Sequence, residues 1–302
     1  MSRIAKLIGQ MCWRNSRHID YRFDVQMCKE PFIAFTNGKR RWLYAITTNL
    51  DKSENRMNWR NTELMYKYYE NRIKGMKDWF QVIQKTLNAT LPFVMIDNDE
   101  YRTQNKMLIN WIRTQTPSVE KFVIYSSTIA DDDLTYILNT MTINWGLYLY
   151  VKLSDQFTIN FPRTLTRFYV HHGEWITMVQ LLSIPALSIT IVHSSLTPQE
   201  LKAFFELWIN VKYHKQLQYF DIVLQSEQHL EAIRSITQTP IDKKGSWYLD
   251  NGFFKDIVQG GNEIKRKDGA TAFLGLFDSS NFEFGILRFC LYSTEFNIAL
   301  NA

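Results

Sequence analysis

Apolar positions along this chain keep two rhythms, and from residue 91 onward the two alternate. Strand-like runs of β-branched, leucine and aromatic residues cover 91–96, 119–125, 147–153, 165–170, 187–192 and 217–224. Between them lie stretches with helical spacing. The pattern predicts helices over 98–114, with Met107, Leu108, Trp111 and Ile112 on one face, from Asp131 to before Asn144, over 174–183 and over 198–210. Asp131, Asp132 and Asp133 suit a helix start because the macrodipole favours negative charge there. Pro198 behind Thr197, with Glu200 three residues after that threonine, spells a complete capping box. Strands recurring every roughly 20 to 30 residues have the period of leucine-rich and related arrays. The expected fold is therefore α/β, a degenerate leucine-rich-repeat-like strand-helix array, with its parallel sheet on one side and helices on the other. The rival is a doubly wound sheet, which as a nucleotide-binding fold would need a Gly-rich strand-to-helix turn that none of these strands has.

The flanks follow other patterns. Residues 2–18 carry Ile4, Leu7, Ile8 and Met11 at helical spacing, and 21–25, 32–35 and 42–46 read as strands, the last two joined by an Asn37-Gly38 turn. From Thr62 to Ala89, Met65, Tyr69, Ile73, Met76, Phe80, Ile83 and Leu87 recur at steps of three or four, which predicts one long helix bent or split at Gly75. Glycines gather toward the C-terminus, where Lys267-Asp268-Gly269 pivots a hairpin over 263–276 and a further strand pair runs through 277–290. That segment reads as an antiparallel β cap, about 245–302, on an array spanning about 91–225. The expected division is 1–60, an N-terminal helix and hairpin, and 61–302, the array with its cap.

Composition narrows the class. Hydrophobic residues are 45% and aromatics 15% of 302 positions, with 12 Gly and 7 Pro, so a continuous folded chain is expected and not a linker. The net charge of +5 sets 35 basic against 30 acidic residues; the dense basic runs Lys39-Arg40-Arg41 and Lys265-Arg266-Lys267 are short, which makes a nucleic-acid partner an unfavoured third reading. Cys12, Cys28 and Cys290 have neither disulfide nor zinc spacing and suit a reducing compartment, cytoplasmic or nuclear. No apolar run approaches the ~20 residues of a membrane helix.

Catalytic signatures are missing: no P-loop, Gly-x-Ser-x-Gly, His-Glu-x-x-His or kinase motif occurs. His171-His172 invites a metal, but adjacent side chains on a strand point to opposite faces, so neither a metal nor a cofactor is expected. His193, Ser194 and Ser195 invite a nucleophile, yet adjacency alone provides no oriented base or oxyanion hole. Asp97-Asn98-Asp99 lacks the rest of a calcium loop and reads as an ordinary turn. Leu201, Phe204, Phe205 and Trp208 form a core stripe. His171, His172, His193, Ser194 and Ser195 are then the positions least explained by packing, and they are the candidate partner-binding residues of a non-enzymatic recognition protein. A hydrolase or transferase on a doubly wound sheet, with His171 or His193 as base, is the alternative.

The order of elements carries a resemblance. Glu174-Trp175-Ile176 through Leu181-Leu182, then Ile189-Thr190-Ile191, Ser195-Leu196-Thr197, Leu201, Phe204, Phe205, Trp208-Ile209-Asn210 and Leu217-Gln218-Tyr219-Phe220 resemble the nematode F-box associated (type 2) family. Gly261 to Gly269, followed by an apolar strand, resembles that family's closing hairpin. The resemblance implies the substrate-recruiting subunit of a cullin-type ubiquitin ligase, with an unknown target protein as partner. It also implies that a ligase adaptor binds only where a complete F-box is present, and residues 1–19 match at most the last helix of one.

Overall fold

Strand geometry is set by alternation: Phe23, Val25 and Met27 are fully buried, whereas Asp24 and Gln26 between them are only partly so. The computed structural model describes residues 22–36, 41–52, 56–59, 62–87, 90–236, 239–250, 255–279 and 282–291. The helix expected over 2–18 and the Asn37-Gly38 turn lie outside them. The chain divides into two units, residues 1–127 with 136–143 and residues 128–135 with 144–302.

In the first unit, β1 (Arg22–Met27), β2 (Phe32–Thr36) and β3 (Arg41–Thr47) form the expected antiparallel meander. Two strands that hydropathy did not reveal follow, β4 (Arg56–Trp59) and β5 (Thr62–Tyr68); β5 runs parallel to β3 and antiparallel to β4. This corrects the long helix expected from Thr62. Helix α1 begins only at Arg72 and spans Arg72–Leu87. In β5 the β-favouring Thr62, Tyr66 and Tyr68 pair along the whole of β3, and sheet hydrogen bonding overrides a helical spacing of the same apolar residues. Strand β6 (Thr90–Asp97) lies parallel to β1, and β7 (Ser118–Ile129) parallel to β6. Helix α2 (Asn105–Gln115) starts seven residues later than the pattern suggested, because 98–104 is a turn held from below: the Asp99 carboxylate accepts from Ser126 Oγ and Ser127 N. Rings seal α1 and α2 onto the sheet, Phe80 meeting Phe23 at 5.2 Å and Trp111 at 5.1 Å, both edge to face.

The second unit contains the regular array. Strands β8 (Thr142–Lys152), β9 (Arg167–Val170), β10 (Ser188–Ile191) and β11 (Tyr219–Val223) are successive parallel neighbours. Helix α3 (Asp131–Thr140) leads into β8, while α4 (Met178–Ser183), α5 (Pro198–Ile209) and α6 (Glu227–Arg234) follow β9, β10 and β11. The helix starts obey local chemistry. Thr197 with Glu200 forms the expected capping box, and Thr177 with Gln180 forms a second one, which delays α4 to Met178. Asp131, Asp132 and Asp133 occupy the first turn of α3, as expected, and the Asp131 carboxylate also accepts from Ser154 N at 3.0 Å.

The antiparallel cap is present. Strands β12 (Thr239–Asp250), β13 (Lys255–Lys265), β14 (Thr271–Ser279) and β15 (Phe282–Leu291) form a meander, and β15 pairs antiparallel with β11. Gly269, at φ 95°, closes the β13–β14 turn where an L side chain would be strained. Beside it Lys267 N donates to Ile209 O, Arg266 Nη1 donates to Lys215 O, and the Arg266 guanidinium lies 5.0 Å above the Trp208 ring. The turn is thereby fastened to the end of α5.

Candidate functional site

Strands β8 to β11 present two unlike faces. Toward the helices point Phe168 and Val170, Ile189 and Ile191, and Phe220 and Ile222, each at most 2% exposed. Phe204 meets Phe220 at 4.9 Å, and Trp208 meets Phe289 at 5.0 Å, which closes the core as the Leu201-Phe204-Phe205-Trp208 stripe predicted. Toward the other side point Tyr148, Tyr150, Arg167, Tyr169, Ser188, Thr190, Tyr219 and Asp221, because residues alternate and the register holds Tyr148, Tyr169, Thr190 and Asp221 in one row.

That row changes character along its length. At the β11 end it is closed: Asp221 and Arg288 are 6% and 8% exposed and form a two-pronged ion pair, with Arg288 Nε and Nη2 each 2.9 Å from a carboxylate oxygen and Tyr219 Oη also donating to Asp221. Burial and the Asp221 charge push the Tyr219 hydroxyl far above its usual range. At the β8–β10 end Tyr148, Tyr150, Tyr169, Ser188 and Thr190 are half-buried and accessible, and Arg167 is buried. Tyr148 stacks on Tyr169 at 6.0 Å and 22°, Tyr169 meets Tyr150 at 5.0 Å and 35°, and Tyr150 stacks on His171 at 6.0 Å and 28°. Arg167 lies below them with its guanidinium 5.2 Å over Trp145 and Nη1 3.5 Å from Tyr148 Oη.

Past the strand ends this row runs into the candidate histidines. His171 lies 4.7 Å from His172 and 5.1 Å from His193, and His172 lies 5.6 Å from His193, ring centre to ring centre. The expectation that His171 and His172 diverge is corrected: both sit in the bend after β9, where pleat alternation has ended. Gly173 makes the approach possible. Its N–H donates to Val192 O, and a Cβ there would stand 2.4 Å from Ile191 Cγ2, so only glycine lets the β9 loop lie against the end of β10. His193 completes the group from a left-handed conformation, φ 50°, uncommon for a non-glycine residue.

The electrostatics favour neutral rings at His171 and His172 in the free protein. Partial burial, then the neighbouring imidazoles, lower the His171 pKa from 6.5 against the pull of Glu174. Burial also lowers that of His172, where Glu174, its Oε1 3.9 Å from Nδ1, works upward and His193 and Lys152 downward. The two serines belong to the backbone: Ser194, buried, accepts from Leu196 N at 3.1 Å, and Ser195 donates to Glu174 O. A serine whose hydrogen is committed to a carbonyl is poorly placed to transfer it to a histidine. Among the described residues no group of three or more His, Cys, Asp or Glu has the arrangement of a metal site.

Of the candidates, the three histidines come together on an accessible surface, Ser195 lies at its margin and Ser194 beneath it. Sequence reasoning passed over Tyr148, Tyr150, Arg167 and Tyr169. Their signal was the two-residue alternation with Leu147, Leu149, Phe168 and Val170, which places them with His171 on the side away from the helices. It also passed over His214 and His229, which are buried and face Leu181 O and Leu196 O at 2.9 Å through Nε2. Both fasten one repeat to the one before it.

Among the described residues no helix is long and apolar enough to cross a membrane. No curated protein and no solved structure matches the chain. Residues 156–222, which run from the loop after β8 through β9, α4, β10 and α5 into β11 and include the three histidines, match the F-box associated family model, so an F-box associated domain is present over that stretch.

Proposed function

We propose that this chain is a non-catalytic recognition subunit that holds a target protein against the open face of β8, β9 and β10, in the manner of the recruiting arm of a cullin-type ubiquitin ligase. The observation that carries the reading is a coincidence of two stretches. The match to the F-box associated family covers 156–222, and Tyr169 with all three histidines at the end of the row belongs to that stretch, while Tyr148 and Tyr150 join it from the strand just before. Strand-helix arrays present extended surfaces of this kind, and large aromatic side chains are the usual anchors of protein interfaces. The adaptor of the ligase enters only through a complete F-box.

Affinity purification from cells tests this with three forms: the chain as given, a form with a complete F-box joined to its N-terminus, and Tyr150→Ala with Tyr169→Ala. The same target is expected with the first two, adaptor and cullin with the F-box form alone, and loss of the target from the double variant while its circular dichroism is kept. Retention of the target by the double variant would move recognition off this face.

A further inference from the structure

The ring row also constrains what can lie on it. Tyr148, Tyr169, Tyr150 and His171 are spaced 5.0–6.0 Å between centres with planes 22–35° apart. Rings lying coplanar side by side would collide at that spacing, so each ring overlaps part of its neighbour's face. Besides the uncovered part of those faces, they offer a partner their edges, hydroxyls and ring N–H groups. Aromatic edges carry the positive end of the ring quadrupole, and phenol and imidazole tips donate hydrogen bonds. A surface whose ring faces are partly covered by their neighbours gives less to stacking bases or prolines, which need exposed faces. It suits oxygen acceptors bearing negative charge. Cations agree with this: the buried Arg167 reaches Tyr148 Oη, and Lys152 acts on His172 at the end of the row, where Glu174 also stands, while the Asp221 carboxylate of the same row is paired with Arg288.

We propose that the open face of β8, β9 and β10, together with the His171, His172 and His193 cluster, docks an extended segment of the target protein rich in aspartate and glutamate. The phenol hydroxyls and ring edges receive its carboxylates along the strands, and the imidazoles receive one at the strand ends. This rests on the recognition role proposed above and names the chemistry of the partner.

A proton is taken up in the process. His171 faces His172, His193, Glu174 and the Tyr150 ring, and His172 faces Glu174, His193 and Lys152. Neutral imidazoles repel one another less than charged ones, and burial acts the same way, so His171 and His172 are held toward the neutral form while the face is empty. A docked carboxylate adds negative charge and raises the imidazole pKa values. Binding then strengthens as pH falls toward the free imidazole range and weakens as pH rises through the raised value, by up to ~10-fold per pH unit for each linked proton.

A displayed library of random twelve-residue peptides, panned on the immobilised full chain near the imidazole pKa of about 6.5, tests this. Tyr169→Phe with His172→Gln serves as the counter-target, since it removes two tips and keeps their bulk. The expected outcome is enrichment of acidic peptides that bind the variant at least several-fold more weakly and lose affinity as pH is raised. Acidic peptides that bind the variant equally well would overturn the proposal, as general attraction to a basic chain. Face-dependent peptides without acidic character would also overturn it, but would leave recognition by this face standing. If no face-dependent peptide emerges while the cellular target is still lost from Tyr150→Ala with Tyr169→Ala, the inference fails and the recognition role survives.

Discussion

The two faces of strands β8 to β11 are written by the same residues taken alternately, yet they obey different physics. The helix-facing set, Phe168, Val170, Ile189, Ile191, Phe220 and Ile222, is uniformly apolar and sealed by α5. The opposite set holds tyrosines, an arginine and an aspartate; it is closed at β11 by an ion pair, while its tyrosines are accessible at β8 and β9. Apolar burial drives folding without direction, whereas the polar row costs free energy wherever a group is buried without its partner. One face makes the array stable, and the other is the one proposed to meet a partner.

Substitutions can break this contrast in order of expected effect. Phe220→Ala on the sealed face should cost about 3–5 kcal/mol, as large-to-small changes of buried aromatics do, and urea unfolding would read it. Should it cost under about 1 kcal/mol, the sealed face would not be the stabilising one. Arg288→Met leaves Asp221 buried without its cation and should cost about 3 kcal/mol or more, while Asp221→Leu with Arg288→Met should recover most of that loss. A double variant as unstable as the single one would mean that the pair itself stabilises the closed end.

In the first unit the polar side can be probed with a change of opposite sign. Burial raises the Asp24 carboxyl from 3.8 to about 6, despite Arg41 and Lys121 pulling it down. Between those values the folded state keeps a proton that the unfolded state releases, so stability falls as pH rises from about 4 to 6 and stays lower above. Asp24→Asn should therefore be more stable at pH 7, by at most about 3 kcal/mol from the gap between the two values, and should flatten that part of the pH profile. Smallest of all is Tyr169→Phe, which removes one hydroxyl from a half-buried ring and should leave stability within about 0.5 kcal/mol while weakening acidic peptides. A large loss of stability there would show that the open face also serves the fold.

Much of the array was legible because local chemistry and burial agree in it. The strands around Phe168, Ile189 and Phe220 alternate, and Thr197 with Glu200 caps α5 as its spacing says. Reading failed where a distant partner decided. Thr62–Tyr68 is a strand because β3 lies beside it, and residues 98–104 remain a turn because Ser126 and Ser127 hold Asp99, drawing its pKa down to about 2 against the effect of burial. The candidate histidines were found as residues left over from packing. Their meeting was not foreseen, since it depends on what Gly173 and His193 do to the backbone, and a pairing rule for regular strands gives the wrong answer just beyond a strand's end.

The pairing of β11 with β15 has a consequence for the order in which the chain can be completed. Asp221 meets Arg288 across a sequence separation of 67 residues. A ribosome adding about 5–20 residues per second would leave the β11 edge without its neighbour for roughly 3–13 s after that strand is made. During that interval the nascent array ends in an unpaired strand carrying an unmatched carboxylate. Open edges recruit foreign strands, and a charged side chain on the edge strand discourages them. Asp221 can thus guard the growing chain against aggregation before it becomes half of the ion pair that closes the finished one.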